Sequence, residues 1–171
     1  DIRHSLVNSE IGDESNKYFG YWKFPELIAF DKAEEFIISA PFSNLSAIWR
    51  ILNKIPSDSV LHLGNSGTIR YSQLCRVTRK LHYYSNRGTS GIDGCLSTAV
   101  GAASVSVELH TAIIGDLSFV YDSNALWNRN FPVNLRIIVL NDKGGGIFRI
   151  IEGPDKMPFF EEYSIAFHPV S

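Results

Sequence analysis

Several features that would restrict the function of a protein are scarce in this sequence of 171 residues. It has only two cysteines, Cys75 and Cys95, which lie within apolar patterns and lack the spacing of a metal site. We interpret them as reduced core thiols of a cytoplasmic protein. No run reaches the roughly 18 apolar residues of a membrane span, and the first residues do not have the pattern of a signal peptide. The formal net charge of −2 gives no indication of a nucleic-acid or membrane-surface partner.

The sequence contains instead four short apolar runs, each followed by a turn of polar or small residues. A helical pattern precedes them, with Ser43-Asn44 as its capping signal and apolar residues at helical spacing through Ile55. Helical patterns also alternate with the runs, which predicts an α/β fold with a doubly wound parallel sheet. The four predicted strands are 60–63, 81–84, 112–114 and 135–140.

The predicted helices connect these strands. We predict helices from residue 64 to about 76 and from residue 93 to about 107, and a crossover helix over 118–129. The crossover helix would have Ser118 as its N-cap and Asp122 in its first turns.

Residues 1–42 have no clear period and form the predicted linker or covering segment. An aromatic cluster around Gly20 favours packing on a neighbouring domain, because aromatic rings usually serve burial; a binding platform is the alternative. The cluster consists of Tyr18, Phe19, Tyr21, Trp22 and Phe24.

Two carboxylates, Asp116 and Asp142, follow two of the predicted strands. Ligands of open α/β sheets bind beyond the carboxyl ends of the strands, and two neighbouring carboxylates repel unless a cation lies between them. Mg2+ fits such oxygen ligands, glycines after Asp142 allow close approach of the backbone, and the helix start near Ser118 suits a phosphate. The predicted ligand is a metal-bound diphosphate; the alternative is that Asp116 caps a helix and that Asp142 lies in an ordinary turn.

Three motifs add a family resemblance. GDLS at 115–118 and NDKGGG at 141–146 are similar to the paired signature of thiamine-diphosphate-dependent enzymes. SNRGTSGIDG at 85–94, together with GDLS and the GGGIF ending, resembles the menaquinone-pathway branch, the 2-succinyl-5-enolpyruvyl-6-hydroxy-3-cyclohexene-1-carboxylate (MenD) synthases. The resemblance covers roughly residues 59–151. One departure is Asp142, where the family usually has asparagine.

The resemblance implies roles for individual residues. It assigns the metal ion to Asp116, Asp142 and the carbonyl of Gly144. It assigns the cofactor to a set of loop residues, with Ile92 propping the cofactor in its bent shape. This cofactor-binding set is Asn65, Ser66, Ile92, Gly115, Leu117 and Ser118.

The resemblance also implies the reaction of a transferase that decarboxylates 2-oxoglutarate and adds the remaining unit to isochorismate. Both substrates are dianionic, and guanidinium groups grip carboxylates bidentately. Arg70 and Arg87 stand where the family keeps such arginines, and Ile147, Phe148 and Ile151 match the apolar wall beside the ring substrate.

The family fold implies a division of labour between domains. Residues 43–171 would form a truncated thiamine-diphosphate and Mg2+ domain of a homo-oligomer, dimer or tetramer, with the site shared between subunits. Nothing before residue 40 resembles the domain that supplies the activating glutamate, so we expect the chain to be inactive alone. The alternatives are another carboligase or decarboxylase of the family, and a non-catalytic flavodoxin-like module that holds a nucleotide.

Overall fold

The computed structural model describes residues 13–169, which fall into two units. The first is one helix of 27 residues, α1 (Asp13–Ser39), with Pro25 in its interior, where proline removes a backbone donor. The five rings of the aromatic cluster lie on this helix and are 62–78% exposed. Residues 1–12 of the predicted linker lie outside the described part, and its packing on another domain stays a prediction.

Helices and strands alternate along the second unit, which begins at residue 40. Its first helix is α2 (Asn44–Leu52), where the side chains of Ser43 and Ser46 cap each other's backbone N–H groups. The elements that follow are β1 (Ser59–Leu63), α3 (Gly67–Ser72), β2 (Leu81–Tyr84), α4 (Cys95–Ser104), β3 (His110–Gly115), α5 (Asp116–Tyr121), β4 (Leu135–Leu140) and α6 (Phe160–Tyr163). Short 3-10 turns lie at Ser123–Trp127, Gly146–Arg149 and Pro154–Lys156.

The four strands form one parallel sheet in the order β2-β1-β3-β4. In its register, Val60 of β1 aligns with His82 of β2 on one side and with His110 of β3 on the other. The chain thus leaves β1 toward one side of the sheet and later returns to the other side. This reversal places a topological switch point, where open α/β sheets bind ligands, at the carboxyl ends of β1 and β3. The predicted doubly wound α/β fold is confirmed.

The core covers both faces of the inner strands. Every residue of β1 is buried, as are the first five residues of β3. On one face, Leu96 and Val100 of α4 pack with Ile114, and Ile137 of β4 joins them at the edge. The helix α2 lies on the other face. Successive side chains of a strand point to opposite faces, so Ile138 of β4 points away from Ile137. Ile138 shares a groove with Ile51 of α2. The inner strands are therefore held rigidly, and the loops at their carboxyl ends start from fixed positions.

The prediction for the crossover helix is wrong at both ends. The helix α5 starts at Asp116 and ends at Tyr121 instead of spanning 118–129. Ser118 is not its N-cap, because it lies buried inside the helix and donates its hydroxyl hydrogen to the carbonyl of Ile92. Asp122 follows the helix and accepts hydrogen bonds from the N–H and hydroxyl groups of Ser97. The carboxylate of Asp122 therefore caps α4 and does not belong to the first turns of the crossover helix, where the sequence pattern predicts it.

The other two predicted helices are shorter than expected. The helix predicted from residue 64 to about 76 is α3, which has only six residues. It starts late because Ser66 has a φ of +69° and cannot be part of a right-handed helix. The helix predicted from residue 93 begins after Gly94, whose φ is +73°, and ends at Ser104. Among the described residues, no helix combines the length and the apolar character that crossing a membrane would require.

Candidate functional site

The loops after β1, β3 and β4 surround one cavity of about 200 Å³ at the carboxyl edge of the sheet. All six residues predicted to bind the cofactor line this cavity: Asn65, Ser66, Ile92, Gly115, Leu117 and Ser118. The structure thus brings these six residues together from three separate parts of the sequence. Their role in binding a cofactor stays a prediction.

Asp116 is the first residue of α5 and lies in the cavity wall, with only 2% of its surface exposed. Its Oδ1 accepts a hydrogen bond from the N–H of Leu117 at 2.7 Å, and its Oδ2 accepts one from the N–H of Gly144 at 3.0 Å. The Nε2 atom of His168 also lies 3.0 Å from this Oδ2. The carboxylate is therefore fixed in direction and is tied to the glycine loop that follows β4.

Asp142 lies in the same wall, and the glycine loop folds back over its side chain. Its Oδ1 accepts hydrogen bonds from the N–H groups of Gly145 and Gly146, at 3.0 and 2.9 Å. This turn needs glycine, since Gly144 and Gly145 have φ values of +115° and +85°. A Cβ at Gly144 would also lie 2.5 Å from the carbonyl oxygen of Ala166. Oδ2 of Asp142 accepts a hydrogen bond from the side-chain amide of Asn44 at 3.3 Å.

The charge in this wall is all of one sign. Asp116 and Asp142 line the cavity, and no Lys, Arg or His is among the described residues that do. Tyr71 also lines it, and its pKa is raised above the usual value, first by burial and second by the charge of Asp142. An anionic cavity at a switch point favours a cation, and two carboxylates with a nearby carbonyl are a donor set that suits Mg2+.

Two of the three predicted metal ligands line the cavity. Asp116 and Asp142 both reach the cavity, whereas Gly144 is buried beside it and is not part of the wall. The carbonyl of Gly144 accepts the N–H of Ala166 at 3.2 Å, which leaves its second lone pair for another partner. No cluster of three His, Cys, Asp or Glu side chains suitable for a metal occurs within residues 13–169. An ion held here would complete its shell with carbonyl, ligand and water oxygens.

Asn65 connects the loops on the β1 side of the cavity. Its Nδ2 donates to the carbonyls of Asn86 and Gly91, at 2.8 and 2.6 Å, and its Oδ1 accepts from Nη1 of Arg87 at 2.9 Å. The side chain is 2% exposed. Asn65 therefore uses both ends of its amide to hold the 85–94 motif against the loop after β1.

A second connection joins the same motif to α5. The hydroxyl of Ser118 donates to the carbonyl of Ile92, whose half-buried side chain lines the cavity. Ile92 is thus positioned from two sides, by Ser118 and by the neighbouring Gly91 that Asn65 holds. A fixed apolar side chain at this place is compatible with the predicted contact to a bent cofactor.

The residues predicted for the substrates are divided between the cavity and its surroundings. Ile147 and Phe148 line the cavity, but Ile151 does not, and the neighbouring Ile150 does. Arg70 and Arg87 are both exposed and neither is part of the wall. Arg87 is anchored through Asn65, whereas Arg70 lies on the short helix α3.

Sequence reasoning missed several residues of the site. Thr68 and Tyr71 line the cavity from α3, and their spacing of three on a helix starting after the first loop is a signal that could have found them. Asn44 reaches Asp142 from the start of α2, 98 residues earlier in the chain, and no local pattern indicates that contact. His168 lies outside every motif, and its contact with Asp116 is visible only in the fold.

Comparisons with known proteins agree with the motifs. No family model matches the chain. A 2-succinyl-5-enolpyruvyl-6-hydroxy-3-cyclohexene-1-carboxylate synthase of Desulfotalea psychrophila is 48% identical over 149 residues, which are 87% of this chain and 26% of that protein. A synthase of the same name from Christiangramia forsetii is 57% identical over 130 residues, or 76% of this chain and 22% of that protein.

A third synthase of this name, from Flavobacterium johnsoniae, is 45% identical over 132 residues, or 77% of this chain and 24% of that protein. The chain therefore spans about a quarter of the length of the curated relatives that it matches. Identity of this degree over most of the chain relates it to the 2-succinyl-5-enolpyruvyl-6-hydroxy-3-cyclohexene-1-carboxylate synthases and makes it the counterpart of one segment of them.

Proposed function

We propose that this chain is the metal- and diphosphate-binding part of a thiamine-diphosphate-dependent transferase of the MenD type. One observation carries the proposal: Asp116 and Asp142 share a cavity whose described wall contains no cationic side chain. Two anions in a cavity wall without a cationic side chain favour a bound cation, and a cation between them attracts a diphosphate. The similarity to synthases with this name supports the choice of cofactor.

The residues that would hold Mg2+ are Asp116, Asp142 and the carbonyl of Gly144. Their backbone hydrogen bonds hold them in place for this role, since Leu117, Gly145 and Gly146 each direct an N–H group at a carboxylate oxygen. Oδ1 of Asp116 and Oδ2 of Asp142 each accept one hydrogen bond, from Leu117 and Asn44, so each keeps an acceptor position for a metal ion. The protein would contribute orientation and charge, and thiamine diphosphate, when bound, would supply the nucleophilic carbon for decarboxylation and carbon–carbon bond formation.

The substrates of the whole enzyme would be 2-oxoglutarate and isochorismate, in a step of menaquinone biosynthesis in the cytoplasm. Arg70 and Arg87 would bind their carboxylates from the rim, because both guanidinium groups are exposed and neither lies in the wall. Ile147 and Phe148 would contact the ring substrate from inside the cavity. In a complete enzyme, Arg87→Ala should cost roughly 2–4 kcal/mol of transition-state binding, as when one partner of a charge pair is removed.

The complete site would be shared between two subunits of a homo-oligomer. The cavity of this chain offers the carboxylates of Asp116 and Asp142, and both are assigned to the metal. The glutamate that activates the cofactor in this family would then come from a different domain, so the chain alone would bind without catalysing.

Thermal unfolding tests the proposal. Thiamine diphosphate with Mg2+ should raise the melting temperature, whereas either component alone, ATP with Mg2+, or flavin mononucleotide should have little effect. Asp116→Ala should abolish the stabilisation, because it removes a metal ligand. Asp142→Asn should keep it, because the amide side chain still offers one oxygen as a metal ligand.

Glu26→Ala is the matched control, since it removes an exposed carboxylate from α1. It should leave the stabilisation unchanged. Full stabilisation of Asp116→Ala would refute the metal assignment, and stabilisation by ATP or flavin in place of thiamine diphosphate would support a nucleotide-binding module instead.

A further inference from the structure

The segment after α6 returns to the carboxyl edge of the sheet and attaches to the glycine loop. Ile165 is 4% exposed, and the N–H of Ala166 donates to the carbonyl of Gly144 at 3.2 Å. The carbonyl oxygen of Ala166 occupies the space into which a Cβ at Gly144 would project. Residues 165–168 thus support the same loop that brings Gly144 to Asp116.

His168 makes the second attachment. Its Nε2 lies 3.0 Å from Oδ2 of Asp116, and the two side chains are only 7% and 3% exposed. Asp116 lines the cavity, but no residue of the segment 165–168 does. The imidazole therefore contacts the carboxylate from outside the cavity and does not occupy the space that a ligand would take.

Nε2 of His168 lies within ion-pair distance of Oδ2 of Asp116, but the angles at this contact do not allow a hydrogen bond. Within the described part of the chain, neither ring nitrogen of His168 makes a hydrogen bond, although both are buried. A buried polar atom without a partner destabilises the fold. The ligand-free protein thus gains no hydrogen bond from His168, although its Nε2 already lies 3.0 Å from Oδ2 of Asp116.

We propose that His168 is a positioning residue for Asp116, an inference that rests on the proposed metal site. With the metal bound, His168 in its Nε2–H tautomer would donate to Oδ2 of Asp116, which already accepts the N–H of Gly144. Oδ1, which accepts only the N–H of Leu117, would then have its remaining acceptor position available for the cation. Groups that hydrogen-bond a metal-ligating carboxylate from behind fix its orientation and commonly change metal affinity by about 10–100-fold.

Titration with Mn2+, a spectroscopically visible substitute for Mg2+, tests this role on the whole chain in the presence of thiamine diphosphate. Electron paramagnetic resonance counts the free ion. His168→Ala should weaken Mn2+ binding roughly tenfold. His168→Gln, which keeps an N–H donor at similar reach, should restore most of the affinity, and His82→Ala, which removes an exposed histidine from β2, should have no effect.

Other results overturn the inference in distinguishable ways. Equal affinity of the wild type and His168→Ala would remove His168 from the site while leaving the proposed function intact. Tighter binding by His168→Ala would make the segment a competitor of the metal, and equal losses in the Ala and Gln variants would indicate a role in folding only. Absence of Mn2+ binding by the wild type would refute the proposed function together with the inference.

A measurement on the wild type covers the case in which His168→Ala does not fold. The 15N signals of the His168 imidazole should change on addition of Mg2+ and thiamine diphosphate, with Nε2 becoming a hydrogen-bonded N–H. Unchanged imidazole signals under conditions where the cofactor is bound would contradict the positioning role.

Discussion

Single side chains connect the loops of this site. One of them is Arg87, which is predicted to bind substrate and also makes a hydrogen bond within the protein. Its guanidinium donates to Oδ1 of Asn65 at 2.9 Å, and Asn65 in turn holds the carbonyls of Asn86 and Gly91. A guanidinium that binds a substrate from the rim would therefore also stiffen the motif at 85–94.

The first prediction compares two exposed arginines. Arg87→Ala should lower the free energy of unfolding by about 1 kcal/mol, because a hydrogen bond to a charged donor is lost and Oδ1 of the buried Asn65 loses its partner. Arg70→Ala should change stability by less, since the side chain of Arg70 makes no hydrogen bond or ion pair with the described residues. Urea unfolding of both variants gives the comparison, and an equal loss in both would contradict the structural contact.

His62 and His110 form a buried pair between β1 and β3. Nε2 of His62 lies 2.9 Å from Nδ1 of His110, and the two rings stack at 5.2 Å. The pKa of His62 is lowered from 6.5 to about 4, first by burial and second by His110. The pKa of His110 is also lowered by burial, against the opposing effect of Glu108. Both rings are therefore neutral at pH 7.

The second prediction follows from this pair. Because the folded pKa of His62 lies below the unfolded one, the unfolded chain takes up the proton first as the pH falls from 6.5 to 4. The free energy of unfolding should decrease across that window by about 3 kcal/mol from this residue. His62→Gln removes the titrating ring, so its stability should depend less on pH between 6.5 and 4 than that of the wild type. Parallel curves, with His82→Gln as the control, would show that His62 does not titrate in this way.

At the scale of elements, α4 and α5 are joined by one buried carboxylate. Asp122 directly follows α5, is 4% exposed, and accepts the N–H of Ser97 in the first turn of α4 at 2.7 Å. The same carboxylate accepts the hydroxyl of Ser97. Since α4 packs Leu96 and Val100 on the sheet, this cap fixes the helix behind the switch point.

The third prediction concerns this cap. Asp122→Ala should destabilise the fold by about 2 kcal/mol, because it removes an N-terminal cap and leaves the N–H of Ser97 without its acceptor. Asp122→Asn should lose less, since its amide oxygen still accepts one bond. Glu162→Ala, an exposed carboxylate on α6, is the control for charge removal. A loss in the control as large as that in Asp122→Ala would contradict the capping role.

The elements also show which parts of the structure local sequence can specify. The four strands and the capped helix α2 are predictable because apolar runs and the Ser43 cap are signals contained in a few neighbouring residues. The ends of α5 are not, since Ser118 and Asp122 are good capping residues that bond instead to Ile92 and Ser97 in another part of the chain.

The same distinction applies to the candidate site. Asp116 and Asp142 could be placed at one edge from the parallel order of the strands alone. The contacts that orient them, from Asn44 and His168, depend on packing and leave no local signal. Strand β4 also reads as fully buried from its apolar run, yet Ile137, Ile138 and Val139 are only half-buried at the edge of the sheet.

At the scale of the whole molecule, the proposed function predicts binding without catalysis. Activation of thiamine diphosphate requires a glutamate beside its aminopyrimidine ring, and in the described cavity wall the carboxylates are Asp116 and Asp142, both assigned to the metal. Exchange of the thiazolium C2 proton into heavy water, followed by NMR, should therefore be no faster with this chain and Mg2+ than for the free cofactor. Marked acceleration would mean that the chain contains its own activating group.

The position of the metal–diphosphate site is tested most directly by paramagnetic NMR of the 15N-labelled chain. Mn2+ with thiamine diphosphate should broaden the backbone amide signals of Leu117, Gly145 and Gly146, which lie beside the two carboxylates. Signals of Ser59 and Leu81, which lie about 15–20 Å away at the amino ends of β1 and β2, should be affected far less. Asp116→Ala should lose the selective broadening. Uniform broadening of all signals, or broadening centred on the amino ends, would contradict a metal site at the carboxyl edge of the sheet.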